Sequence, residues 1–459
     1  MKLKDLSVYF CTGARNHDLL GLFDEKKISY EIDERVASFK ALGAAKISQV
    51  PTIVCTTSGT AVSECLSGLI EAYYAHLPLV LISGDRPKKM HGTGAPQTIH
   101  HEIITKGHVR TYLDLELSDL ETFDFSTCEY PLHLNILIDD TKPHDQQTIL
   151  GSDLNRFHEF IKTKRTPLFL VSHENGSMRT FTEEFKKRGL NFHAESLSHA
   201  RDLSEFDEKK LVSLFKKFDS IIRVGHTPLS KIWRLLEKEP KPVYHFDERN
   251  LPGMSYGEVM KVNSSDLLKS DFFKILDQYQ FEKLPLSPRV YPFGKYSQAE
   301  PTKLKAIHDV IPEDSIVYLG NSLSIRFFEL IQTKRFRVYG NRGVNGIDGQ
   351  LATAIGMANR TSDTVYAILG DLTTFYDLSS LDGFPKNLKL VIMNNFGGQI
   401  FHELKLDERI TLSHKKNFKK IAETFELIYS QRIDDFSHAQ VLEIQSSRDE
   451  TDLFLKDIS

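Results

Sequence analysis

From residue 6 to residue 139, short β-branched apolar runs alternate with amphipathic segments. They read SVYF, a helix-like ERVASFKALGAAK, PTIVCT, a helical stretch over 62–75, PLVLISG and LHLNILID. This alternation predicts a parallel sheet covered by helices on both faces. The pattern then lapses: DDTKPHDQQTILGSD at 139–153 is polar and without period, and reads as a linker. Alternation resumes in a smaller α/β unit with TPLFLVS, a charged helix around 181–188, SIIRVGH and KPVYHFD. A second break, KLPLSPRVYPFGKYSQAE at 283–300, carries Pro285, Pro288 and Pro292, which disfavour both helix and central strand. Beyond it come SIVYLG, FRVYG, a small-residue helix GQLATAIGMAN, TVYAILGD, LKLVIMNN and AQVLEIQ. The runs VYAILGD and LVIMNN are apolar enough to be central parallel strands. The plan is α/β throughout, three consecutive α/β domains with parallel sheets.

Length agrees, since 459 residues at about 150 per domain give roughly three. The net charge of −4 provides no basic field of the kind phosphate backbones or anionic membranes demand, so neither nucleic acid nor membrane is expected as a partner. No run approaches the roughly eighteen uncharged residues of a membrane span, and the chain reads as cytoplasmic. Cys11, Cys55, Cys65 and Cys128 form no CxxC pair and have no His at a zinc-like offset, so they read as reduced, structural small hydrophobes.

Chemistry is most visible where Gly370-Asp371 ends the strand TVYAIL and Asn394-Asn395 ends the strand LKLVIM. In an open α/β sheet ligands bind outside the carboxyl ends of strands, so the two pairs are expected at one rim. An Asp carboxylate, an Asn amide oxygen and a main-chain carbonyl are hard donors suited to Mg²⁺ that also binds phosphate oxygens. Gly397-Gly398 then lets backbone approach a ligand. The ordinary alternative is a strand-end Asp capping the next helix and a turn built on two Asn.

The longer strings change the odds. GNRGVNGIDGQLATAIGMAN, AILGDLTTFYDLSSL and NNFGGQIF closely resemble the MenD family of thiamine-diphosphate-dependent enzymes, whose signature has GDL where relatives have GDG. The resemblance extends to TGAR at 12–15, IDERVASFKALGAAK at 32–46, TTSGTAVSE at 56–64, ISGDRP at 82–87, GAPQTI at 94–99 and, more weakly, RVGHTPLSK at 223–231.

The resemblance implies thiamine-diphosphate-enzyme architecture: a pyrimidine-binding domain at 1–145, a shortened central domain at 150–285 and a diphosphate-binding domain at 295–459. It also implies the cofactor thiamine diphosphate with Mg²⁺ or Mn²⁺, and a homodimer or tetramer whose subunits share each site. The reaction implied is decarboxylation of 2-oxoglutarate and addition of the remainder to isochorismate, in menaquinone biosynthesis.

Residue by residue, Glu34 falls on the family's essential glutamate, which exchanges a proton with the cofactor's pyrimidine ring; by itself it reads as an N-cap or surface acid. Asp371, Asn395 and the Gly397 carbonyl fall on the metal ligands, beside Gly370. Ile347 falls on the apolar wedge that bends the cofactor, and Phe401 on an aromatic near the reacting centre; either alone reads as core. Ser322, Arg326 and Arg342 match the cradle for the remote carboxylate of 2-oxoglutarate. Arg15, Arg86, Gln97 and Lys231 match positions that grip isochorismate. A single Arg or Lys would read as a solvated surface charge, but these positions share one register.

The chain also departs from the pattern. Thr12 and Ala14 replace the usual Pro and Ser of a PGSR-like motif, Pro96 stands where an Asn is common, the helix preceding that motif is lacking, and the central domain and tail are shorter. Two further readings therefore stand beside the first: a related 2-oxo acid decarboxylase or carboligase with another acceptor, and a degenerate non-catalytic member. Glu34, Asp371 and Asn395 together argue against the latter.

Overall fold

The computed structural model describes residues 1–138, 148–150, 153–174, 178–204, 206–249, 257–285 and 291–458. Most of the segment read as a linker at 139–153, and Pro288, lie outside the described residues.

Three six-stranded parallel sheets follow one another along the chain. The first contains β1 (Val8–Cys11), β2 (Ile28–Glu31), β3 (Thr52–Thr56), β4 (Leu79–Asp85), β5 (Thr111–Glu116) and β6 (Leu132–Leu137), in the order β2-β1-β3-β4-β6-β5. The second contains β7 (Thr148–Leu150), β8 (Pro167–Val171), β9 (Phe192–Ala194), β10 (Ser220–Val224), β11 (Val243–Phe246) and β12 (Gly257–Met260), in the order β7-β12-β11-β10-β8-β9. The third contains β13 (Ile316–Leu319), β14 (Arg337–Tyr339), β15 (Val365–Gly370), β16 (Leu388–Asn394), β17 (Tyr429–Ser430) and β18 (Val441–Gln445), in the order β14-β13-β15-β16-β18-β17. Counted from its own first strand, the third sheet repeats the order of the first. In both, the order in which strands are added reverses between the first and third strands, which is where ligands gather in open α/β sheets.

The apolar runs are continuous because both faces of each sheet are covered. Successive side chains of a strand point to opposite faces. On β4, Val80 and Ile82 enter one core and Leu79 and Leu81 the other. On β16, Val391 and Met393 divide from Leu388, Leu390 and Ile392 in the same way. Burial of a side chain of this size contributes about 1.5–3 kcal/mol, so a one-residue slip of a central strand is strongly disfavoured.

Strands without an apolar run escape the hydrophobic pattern. β2, β5, β7, β9 and β17 are all sheet edges. ISYE and TYLDLE are only partly buried, because an edge strand has one neighbour and meets solvent. The helical stretch at 62–75 is two helices, Thr60–Glu64 and Leu66–Ala75, meeting at Cys65. Cys11, Cys55 and Cys65 are buried free thiols, and burial pushes each well above the ordinary thiol range, as inert structural cysteines require. No described helix is long and apolar enough to cross a membrane.

The three units pack on one another through named contacts. Thr60 Oγ1 donates to Asp348 Oδ1 at 2.9 Å, joining first to third. Thr227 Oγ1 donates to the Gly94 carbonyl at 3.0 Å, joining second to first. Ser196 N donates to Glu329 Oε1 at 2.6 Å, joining second to third.

Candidate active site

The carboxyl ends of the first and third sheets look onto one cavity of about 450 Å³. The first sheet contributes the turns after β1 (Arg15), β2 (Glu34), β3 (Thr57, Ser58) and β4 (Arg86, Gln97). The third contributes those after β13 (Ser322, Arg326), β14 (Arg342, Ile347), β15 (Gly370, Asp371) and β16 (Asn395, Gly397, Phe401). Lys231 arrives from the central unit. Every site residue read from the sequence thus lines the same space, although they span almost the whole chain.

Glu34 opens the helix Glu34–Ser48, but it is not the cap. Asp33 is, its side chain accepting from Val36 N at 3.0 Å. Glu34 is thereby turned inward and buried, with 8% of its surface exposed. Thr56 Oγ1 donates to its Oε1 at 3.3 Å and the Tyr376 hydroxyl to its Oε2 at 3.1 Å. Burial pushes the carboxyl up to about 7, and these hydrogen bonds only partly offset it. A carboxyl poised there exchanges a proton readily at neutral pH.

Asp371 begins the helix Asp371–Tyr376 and is 2% exposed. Its Oδ1 accepts from Leu372 N at 2.7 Å and its Oδ2 from Gly397 N at 2.9 Å, with His414 Nε2 3.1 Å away. Oδ1, with a single donor, retains a further lone pair for a cation. Asn395 Nδ2 donates to Glu300 Oε2 at 2.8 Å, whereas its buried Oδ1 has no hydrogen-bond partner. A buried amide oxygen left unmatched is costly in a protein alone and is satisfied by a cation. Gly397 has φ +144°, and a Cβ there would lie 2.7 Å from the Thr411 carbonyl, so this close turn requires glycine. Among the described residues, no three His, Cys, Asp or Glu side chains gather as a metal cage. A Mg²⁺ site completed by phosphate oxygens needs no such cage, and one carboxylate, one amide oxygen and one carbonyl fit it.

The cationic residues are arranged with comparable care. Asn321 is 2% exposed; its Nδ2 donates to the Asn341 and Gly346 carbonyls at 2.9 and 2.6 Å, and its Oδ1 accepts from Arg342 at 2.7 Å. Two carbonyls of one loop and its guanidinium are thus held by one amide. Arg326 donates to the Ser322 carbonyl at 2.7 Å. Burial and the neighbouring Arg326 charge pull Arg342 down to about 9, still charged at neutral pH. Two like charges in a sheltered wall make an anion site. Ser322 adopts φ +75°, ψ −129°, a strained conformation for a residue with a Cβ, at the rim where strain is commonly stored. Arg86, 2% exposed, donates through Nε to the Pro96 carbonyl at 3.0 Å and lies 5.2 Å from the Trp233 ring centre. Arg86 therefore uses only the backbone at 96, so Pro96 in place of Asn leaves this anchor intact.

Comparison with known proteins accords with this geometry. Residues 3–104 match the family described as thiamine pyrophosphate enzyme, N-terminal TPP binding domain. The chain is 32% identical to a 2-succinyl-5-enolpyruvyl-6-hydroxy-3-cyclohexene-1-carboxylate synthase of Bdellovibrio bacteriovorus, over 92% of this chain and 88% of that one. The chain belongs to the 2-succinyl-5-enolpyruvyl-6-hydroxy-3-cyclohexene-1-carboxylate (SEPHCHC) synthase family. A SEPHCHC synthase of Leuconostoc mesenteroides is 27% identical over 92% of this chain and 86% of its own. An X-ray structure described as a thiamin diphosphate-dependent enzyme from Mycobacterium smegmatis shares the fold, with TM-score 0.50 and 15% identity over 96% of both chains.

Some residues of this SEPHCHC-synthase-family cavity went unremarked in the sequence. Trp233 and Arg234 line it from the central unit, and a lone Trp two positions after Lys231 was the available signal. Tyr376 lies inside the GDL string, with nothing to show that it meets Glu34. Glu300 looked like any acid in a helix first turn.

Proposed function

We propose that this chain is a thiamine-diphosphate-dependent transferase, a SEPHCHC synthase, which decarboxylates 2-oxoglutarate and joins the remaining four-carbon fragment to isochorismate in menaquinone biosynthesis. One observation carries the reading: Glu34, the Asp371–Asn395 donor set and the Arg326–Arg342 pair face one cavity. Bound thiamine diphosphate would supply the carbon nucleophile and electron sink. Asp371, Asn395 and the Gly397 carbonyl would hold its diphosphate through Mg²⁺ or Mn²⁺, beside Gly370. Glu34 would hold and return a proton at the pyrimidine ring, with Ile347 and Phe401 as the apolar walls that keep water out. Ser322, Arg326 and Arg342 would take the remote carboxylate of 2-oxoglutarate, and Arg15, Arg86, Gln97 and Lys231 the isochorismate.

The test is direct. Protein, thiamine diphosphate, Mg²⁺ and 2-oxoglutarate are incubated with and without isochorismate, and carbon dioxide and acceptor are followed. Release of carbon dioxide coupled to loss of isochorismate is expected. Release with isochorismate untouched would favour a related carboligase with another acceptor, a reading that Ala14 and Pro96 motivate. Absence of both would mark a non-catalytic member. A cytoplasmic location and self-association as a homodimer or tetramer belong to the same proposal and are supported by the family resemblance.

Arg326 and Arg342 should act as selectors. Losing one charge-assisted contact costs about 1.5–3 kcal/mol, on the order of tenfold to a hundredfold in rate. Pyruvate has a methyl where 2-oxoglutarate has its remote carboxylate, so R326A and R342A should shrink the 2-oxoglutarate over pyruvate ratio of kcat/KM by that factor. An unchanged ratio in both variants removes 2-oxoglutarate as the donor.

A further inference from the structure

Glu300 lines the cavity and is 2% exposed, yet the roles assigned so far make no use of it. It opens the helix Glu300–Val310, and its backbone is fixed from the far side: Glu300 N donates to Thr451 Oγ1 at 2.9 Å, at the helix Arg448–Asp457. Its carboxyl reaches one of the proposed cation ligands, accepting from Asn395 Nδ2 at 2.8 Å.

A carboxamide carries an oxygen and an NH₂ group of nearly equal size, and packing alone hardly distinguishes its two orientations. Only the orientation with oxygen towards the cavity can ligate a cation; the other presents two N–H groups to a positive charge. Glu300 breaks the tie. In the structure its Oε2 accepts from the NH₂ face, which leaves Oδ1, with no other partner, free for the ligand; burial alone pushes the Glu300 carboxyl up to about 8, and a cation beside Asn395 favours the ionised form, which accepts and does not donate. A hydroxyl in the same place could pair with either face. Asn394 is held separately, its Nδ2 donating to Glu443 Oε1 at 2.6 Å, so Asn395 is the amide that Glu300 governs.

We infer that Glu300 is a positioning residue, which orients the Asn395 carboxamide so that its oxygen ligates the divalent cation of the cofactor. The inference rests on the proposed reading of Asp371, Asn395 and Gly397 as the cation site. Outer partners of metal ligands typically govern affinity by about 10- to 100-fold.

The experiment measures Mn²⁺ binding to the full chain in the presence of thiamine diphosphate, by the electron paramagnetic resonance signal of free Mn²⁺. Glu300→Ala should raise the Kd for Mn²⁺ by about 10- to 100-fold. Glu300→Gln keeps the shape but carries an NH₂ group that can pair with the Asn395 oxygen as well, so it no longer selects one orientation and should bind Mn²⁺ with an affinity between those of the parent and Glu300→Ala. A merely space-filling or charge-balancing role would not sort the variants in this way. If Glu300→Ala does not fold, Glu300→Asp serves instead: it keeps the charge but falls one methylene short, and should lose affinity. Parent-like Mn²⁺ affinity in Glu300→Ala or Glu300→Asp overturns the inference, as does Glu300→Gln binding as weakly as Glu300→Ala. If the parent itself binds no Mn²⁺ with thiamine diphosphate, the cation-site reading fails, and this inference with it.

Discussion

Glu34→Gln should lower the rate of 2-oxoglutarate decarboxylation by about 10²- to 10⁴-fold, the usual contribution of a positioned proton-exchanging group. Cofactor affinity should remain close to the parent's, because the residues proposed to hold the diphosphate and metal lie on the third sheet. The same substitution should stabilise the protein, with a characteristic pH dependence. Glu34 titrates near 7 when folded, against an ordinary value of 4.5. Because the folded value is raised, the native state binds the proton more tightly. The stability tied to the protonated form is present below about pH 4.5 and is lost as pH rises through about 7. The substituted glutamine would not ionise and would lose nothing, while the Thr56 and Tyr376 hydroxyls can rotate to suit its amide. Thermal unfolding should therefore show parent and variant alike near pH 4, diverging between about 4.5 and 7, with the variant ahead by up to about 3 kcal/mol at pH 8. Parallel curves across that range would show that Glu34 does not titrate there. Catalytic sites commonly hold this kind of stability deficit.

Asp371→Ala should fail in the opposite manner. It removes the one charged ligand of the proposed cation site and also the acceptor for Leu372 N and Gly397 N, which set the turn around it. Affinity for Mg²⁺ with thiamine diphosphate should fall beyond the 10- to 100-fold typical of an outer partner, read by calorimetric titration. Activity should partly return at high Mg²⁺ and cofactor, whereas Glu34→Gln should not respond. Equal loss of cofactor affinity in both variants would refute this division of roles. Co-refolding the two variants together also tests the sharing of sites between subunits that the family resemblance implies. If sites are exchanged in a dimer, random assortment restores about a quarter of the parental sites. No recovery would assign each site to one chain.

The sequence alone determined the plan of three consecutive parallel-sheet α/β units and most of the site. Central strands buried on both faces are predominantly apolar, so β3, β4, β10, β15 and β16 announce themselves as runs although buried polar residues such as Arg223 interrupt them. GD and NN at the ends of β15 and β16 marked a ligand rim, since a strand end is where polar groups in a parallel sheet can converge. The family resemblance supplied the cations, and all of them line the cavity. Edge strands such as ISYE and TYLDLE were not legible, because an exposed face imposes no apolar requirement. Only the tertiary structure decided what each acid becomes. Asp33 and Glu34 are adjacent acids at one helix start, yet packing makes the first a cap and buries the second against Tyr376, 342 positions away. Glu300 reads as an ordinary first-turn acid until the third sheet brings Asn395 within 2.8 Å of it. Local sequence sets which residues can ionise or ligate; desolvation and partner choice arise from contacts between distant elements, and no local pattern records them.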